Sequence, residues 1–297
     1  MSTGQWQDPP EYRDPGYGGQ PQLAMPPLTP GVRKLIYATG GTFLVTFVVF
    51  LIQPAAFRWI QDWFAISPGT WIDAAPFLPL WQLVTWGLLH DPMDAFHILG
   101  NMLMLYFLGT MLEEAIGARR LFVFYVGALL FSGIATLAVG LAAGPITIPE
   151  IGLERYPSTL GASGAVLAIV VATAMLHPTR RIIFLLFPIT LRTLAIFLVS
   201  LDIFYMLLQL SGQGADKVAR LAHLTGAGWG YLMVKRGWIW RDLGATVDGW
   251  RAQREEGRRA SDEHRLDDLL AKISRDGIGS LNRSERAFLK RKSKQRP

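Results

Sequence analysis

Leu160-Gly161-Ala162-Ser163-Gly164-Ala165-Val166 opens an apolar run that continues without a charged residue to Leu176. A serine set among small residues at the head of such a run poses a chemical question. Its hydroxyl is a weak nucleophile until a base removes its proton. If the run crosses a bilayer, the base must come from another helix. Ionisable residues inside membrane spans are costly and mark functional sites.

The rest of the composition says that the run does cross one. The chain has 297 residues, of which 51% are hydrophobic and 18% charged. An ordinary soluble domain carries about 25% charged residues. Charges are absent from 35–57, 121–149 and 156–179, and about 20 apolar residues span a bilayer. The lack of cysteine excludes disulfides, thiolate metal sites and a cysteine nucleophile. The net charge of +6 is carried mostly by the C-terminal tail, and no nucleic-acid partner is expected. A long polar leader precedes the first apolar run, so a cleaved signal peptide is not expected.

These patterns predict an all-α membrane protein with six transmembrane helices. Residues 1–32 form a disordered, Pro/Gly-rich tail, with seven prolines in the first 30 residues and little to pack. The six spans fall near 35–52, 95–112, within 121–143, then 160–176, 193–210 and 218–234. Residues 55–94 hold Trp59, Trp63, Trp71, Trp81 and Trp86. Tryptophan favours the membrane interface, so short amphipathic pieces lying in the outer leaflet are expected there. Ile182 to Leu191, interrupted by Pro188, reads as an interfacial segment. Residues 33–236 make the membrane domain, and 237–297 a charged tail with a small helical unit. In that tail Leu266, Leu269, Leu270 and Ile273 have helical spacing, and Asn282 with Glu285 has the spacing of a capping box.

Six spans put both termini on one side. Arg33/Lys34, Arg119/Arg120, Arg180/Arg181/Arg192 and Lys235/Arg236 fall on that side, and basic residues in short loops mark the cytoplasm. Both termini are therefore expected to be cytoplasmic. With that orientation His97, Asn101, Ser163 and His223 all lie just below the outer surface. His223 is the natural base for Ser163. The Ser163 N–H at a helix N-terminus, the Asn101 amide and the His97 ring can receive an oxyanion. His97 and Asn101, four apart, share a helix face. No aspartate lies near His223 in sequence on the required face, and Asp216 falls too close to the outer turn, so a Ser-His dyad is expected. Gly161, Gly164 and Ala165, with Gly226 and Gly230 on the last span, are small residues that let membrane helices approach closely.

Trp81-Gln82-Leu83, His97-Ile98-Leu99-Gly100-Asn101-Met102, Gly161-Ala162-Ser163-Gly164 and Ala222-His223-Leu224-Thr225-Gly226 with Gly230 together resemble the rhomboid intramembrane serine proteases. The resemblance covers about residues 33–236, and Glu113 or Glu114 with Gly117 and Arg120 fits the usual turn between the second and third helices. It implies a rhomboid-like six-helix bundle that cleaves single-span membrane proteins near their outer ends, beside lipid. It implies Ser163 as nucleophile, His223 as general base, and an oxyanion hole of His97, Asn101 and the Ser163 amide, with no cofactor or metal. It also implies a multi-pass protein of a bacterial plasma membrane. Three positions depart from the family pattern. Gln82 stands where arginine is common, Leu167 where an aromatic stacks on the catalytic histidine, and Arg220 where a second histidine is frequent.

The rival readings are weaker. A zinc site needs three or four ligands, and His90, His97 and His223 lack metal-binding spacing; His90 reads as structural in the outer loop. Asp202, inside the fifth span, reads as a side chain bonded within the bundle, with a proton path as the alternative. A transporter should show an internal repeat, and there is none. An inactive rhomboid-like protein that escorts membrane helices would lack Ser163 or His223.

Overall fold

The computed structural model describes residues 27–148, 153–184, 187–210, 217–241 and 245–293. Most of the N-terminal tail and the turn containing Asp216 therefore lie outside the described residues.

The first long helix, α1 (Pro30–Ile52), begins earlier than its hydrophobicity alone suggests. Pro30 sits in its first turn, where a missing N–H costs nothing. The remaining free N–H groups are met by a side chain from elsewhere. Glu113 accepts from Gly31 N at 2.8 Å, Val32 N at 2.7 Å and the Thr29 hydroxyl at 2.5 Å. A buried carboxylate thus caps a helix N-terminus, where the helix dipole favours negative charge. Glu113→Ala strips three acceptor contacts from that end. We expect a loss of about 2 kcal/mol, on the scale of a lost helix cap, read as a lower thermal midpoint in detergent.

The loop after α1 folds into short helices, as its aromatic, amphipathic composition predicts: α2 (Pro54–Phe64), α3 (Pro68–Asp73) and α4 (Gln82–Thr85). Gln82, fully buried, holds this loop together. Its carbonyl oxygen accepts from Ser67 N at 3.1 Å and Trp71 Nε1 at 2.9 Å, and its amide donates to the Asp62 carbonyl at 2.8 Å. A neutral amide both donates and accepts, which an arginine at this position could not do.

The second span is α5 (Ala95–Met104) and α6 (Thr110–Ile116), joined by a π-helical turn at Leu105–Gly109 into one stretch from Ala95 to Ile116. Helix α7 (Ala118–Ala143) follows the left-handed Gly117. A hairpin, β1 (Ile146–Ile148) against β2 (Leu153–Arg155), leads to α8 (Ser163–Leu176). The expected interfacial segment is an antiparallel hairpin, β3 (Arg181–Phe184) against β4 (Phe187–Thr190), with Ile183 opposite Pro188. It runs directly into α9 (Leu191–Leu210), and α10 (Lys217–Lys235) follows.

Among the described residues, four helices are long and apolar enough to cross a membrane: Pro30–Ile52, Ala95–Ile116, Ala118–Ala143 and Leu191–Leu208. Large apolar side chains such as Leu44, Val45, Ile52, Phe197 and Phe204 stand exposed on the first and last of them, a surface suited to lipid rather than water. Helix α8 is shorter and central, with Gly164 to Val170 and Ala172 to Ala174 all buried. Helix α10 lies against it with almost no side chain between. A Cβ on Gly226 would strike the Gly164 carbonyl, and one on Gly230 the Ala168 carbonyl. The Trp229 indole, meanwhile, donates to the Phe124 carbonyl of α7 at 3.1 Å.

In the tail, α11 (Ala245–Asp276) and α12 (Arg283–Ser293) enclose a small core of Leu269, Leu281 and Phe288. The capping box forms. Asn282 Oδ1 accepts from Glu285 N at 2.9 Å and Glu285 Oε2 from Asn282 N at 2.7 Å. With Lys272 beside it, that bond holds the Glu285 carboxyl below its ordinary pKa.

Candidate active site

The fourth apolar run becomes helical only at Ser163. The residues just before it are tied to the loop between α1 and α5. Ile66 and Thr159 exchange two backbone hydrogen bonds of 2.9 Å, and Gly161 N donates to the Trp86 carbonyl at 2.9 Å. Gly161 has φ of +129°, a conformation open to glycine and strained for other residues. An added Cβ there would also sit 2.9 Å from the His97 ring. Gly161 is thus doubly required, for the turn into α8 and for room beside His97.

Ser163 Oγ lies 2.7 Å from His223 Nε2 on α10. The predicted nucleophile and base are therefore in hydrogen-bonding contact across 60 residues of sequence. The glycine packing makes this possible, because α8 and α10 meet at backbone distance directly beneath the pair. The His97 ring closes the other side. His97 Cε1 and Ser163 Oγ approach the same point over Gly161, at 2.9 and 3.6 Å. Asp94 caps α5 by accepting from His97 N at 3.0 Å, which fixes where that ring emerges.

Asn101 is buried, and its amide nitrogen donates to His90 Nε2 at 3.0 Å. An amide nitrogen carries two hydrogens, so this bond fixes the orientation of the Asn101 amide while using only one of them. The Ala162 N–H also points at His90 Nε2, at 3.4 Å. His90, expected to be structural, therefore stands one bond behind Asn101, one of the predicted oxyanion groups. Burial, helped by the neighbouring His97, pushes its pKa down to about 4, so the ring is neutral near pH 7 and can accept. A depressed native pKa means that the unfolded chain binds the proton first, so stability is lost as pH falls from 6.5 towards 4. At 1.36 kcal/mol per unit the contribution is roughly 3 kcal/mol. Thermal unfolding across that window should show a slope that His90→Asn flattens.

A correction concerns His223. The expectation that no carboxylate reaches it is overturned, because Asp202 Oδ1 on α9 lies 2.9 Å from His223 Nδ1. The same oxygen accepts from Arg220 Nη1 at 2.9 Å. Asp202 is bonded within the bundle, as read, but its partner is the histidine. Asp202 and His223 lie nine and seven residues from the two ends of the segment 211–216, so two antiparallel helices on either side of it bring them to similar depth. Closeness in sequence to His223 does not reveal this pairing. His223 is engaged by Ser163 and Asp202, and His90 by Asn101.

A sequence model of the rhomboid domain matches residues 79–239, more than half of the chain. The chain belongs to the rhomboid family. Its relatives include a rhomboid protease, GlpG, of Photorhabdus laumondii, 30% identical over 92 residues, which are 30% of this chain and 32% of that protein. Another is the mitochondrial rhomboid-like protein 12 of Arabidopsis thaliana, 35% identical over 141 residues, 45% of this chain and 40% of that protein. The chain thus matches well under half the length of either relative. A second model, of a family of unknown function (DUF6576), matches residues 253–295 of this rhomboid, the stretch that carries the α11–α12 core.

Proposed function

We propose that this rhomboid is an intramembrane serine endopeptidase that cuts single-span membrane proteins near the outer face of the membrane. The observation that carries the reading is the 2.7 Å contact between Ser163 Oγ and His223 Nε2 at the head of an apolar helix. In this mechanism Ser163 Oγ attacks the scissile carbonyl carbon as His223 Nε2 takes its proton. The oxyanion accepts from the Ser163 N–H, the His97 ring and the second hydrogen of Asn101 Nδ2. His223 then gives its proton to the leaving amine, and water, activated by the same ring, releases the acyl group from Ser163. A substrate must unwind locally, because a helical peptide bond in lipid is shielded by its own hydrogen bonds. Helix-breaking residues at its outer end favour cutting.

The test is a single-span reporter with such an outer end, mixed with the purified protein in lipid vesicles. The expected products have their new termini near the outer face. Failure to cut a panel of such reporters, by protein with an intact unfolding transition, overturns the reading.

The same proposal places both termini in the cytoplasm of a bacterial cell, supported by the clustering of Arg and Lys on the terminal side. The chain has no cysteine, so single cysteines report cleanly. In intact cells an impermeant thiol reagent should label a cysteine at position 80 and spare one at position 118. The reverse pattern would invert the orientation.

A further inference from the structure

We propose that Asp202 is a positioning residue for His223, making a three-member site whose third member stands on the neighbouring helix. The proposal rests on the reading of Ser163 and His223 as nucleophile and base. A neutral imidazole has one N–H, and Nε2 can take the Ser163 proton only if that hydrogen sits on Nδ1. Asp202 Oδ1, 2.9 Å from Nδ1, accepts it. The carboxylate thereby selects the tautomer, fixes the ring plane and stands against the positive charge that the ring acquires. The proton moves from Ser163 Oγ to His223 Nε2 and from there to the leaving amine; none passes to Asp202.

The surroundings show that this contact is built rather than incidental. The Asp202 side chain is 8% exposed, and a buried carboxylate is costly unless paired. Arg220 Nη1 bonds the same oxygen at 2.9 Å, and its guanidinium lies over the Tyr205 ring, 4.8 Å from the centroid. Asp202 and Tyr205 are three apart on α9, and Arg220 and His223 three apart on α10, so each pair shares a helix face. Two pairs meet across one interface. The base is therefore held in its working orientation only while α9 stands against α10.

The test compares the full-length protein with Asp202→Asn in lipid vesicles, on a reporter that the parent cuts. Asparagine keeps the shape but can turn an N–H towards Nδ1, which favours the wrong tautomer. We expect kcat to fall by up to about 10⁴-fold, the scale of the same change in another serine protease, with KM and the thermal midpoint near the parent's. The charged or titratable groups facing His223 are Asp202 from α9, Arg220 from its own helix and His97 from α5. A purely structural role would lower the thermal midpoint and raise KM along with any fall in kcat, and this result overturns the proposal. A parent-like kcat in Asp202→Asn overturns it too, while the protease reading stands. Absence of cutting by the parent overturns the protease reading and this proposal with it. Should Asp202→Asn fail to fold, Asp202→Ala/Arg220→Leu removes both charges together. The proposal expects the same fall in kcat, and parent-like turnover overturns it.

Discussion

Ser163→Ala in lipid vesicles should leave a helix-broken single-span reporter uncut over a period in which the parent consumes it. The substitution removes one oxygen from the first residue of α8 and disturbs no packing, so the thermal midpoint should stay near the parent's. Loss of a serine nucleophile from other proteases lowers kcat by about 10⁶-fold. His223→Ala should be comparably inactive, and the double variant no worse than either single one, because the two groups act as a unit. Equal cutting by parent and variants would place the activity elsewhere and sink the mechanism.

The second large effect is expected from a residue that touches no substrate. Gly226 lies on α10 one turn beyond His223, and a Cβ there would strike the carbonyl of Gly164, the residue next to Ser163. Backbone cannot yield as a side-chain tip can. Gly226→Val must push α10 away from α8, carrying His223 from Ser163. Overpacking of this kind costs about 1–3 kcal/mol, and a displacement of about 1 Å can cost about 10²-fold in rate. We expect activity reduced at least 10²-fold, about that factor or more, and a lower thermal midpoint. Gly228→Ala is the control. A Cβ at Gly228 meets nothing within 4 Å, so that variant should cleave like the parent. Parent-like cleavage by Gly226→Val would show that the helix contact is not what holds the pair together.

Both predictions begin with residues that the sequence singled out, and the reason is the solvent. Hydrocarbon penalises polar groups, so Ser163, His223, His97 and Asn101 stood out from apolar runs without any structure. The same penalty made the long apolar helices readable, and local chemistry made the Asn282–Glu285 cap readable. Element ends were read less well. The run from Leu160 reads as helix, yet Gly161 and its bond to Trp86 delay the helix to Ser163. The first span starts at Pro30 because Glu113, some 80 residues away, meets its free N–H groups. No local pattern contains that information.

Residue chemistry read along the chain is enough for the membrane class, the long apolar helices and the serine and histidine as candidate reactive groups, because these follow from burial costs that each residue carries alone. Which side chains meet is set by packing. Gln82 ties the loop after α1 by its amide, His90 holds Asn101, and Asp202 reaches His223 with Arg220 beside it. Those pairings depend on how each helix is rotated about its axis and how deeply it sits. Rotation and depth are set by the packing of all the helices together, with glycines such as Gly226 deciding how close two of them come.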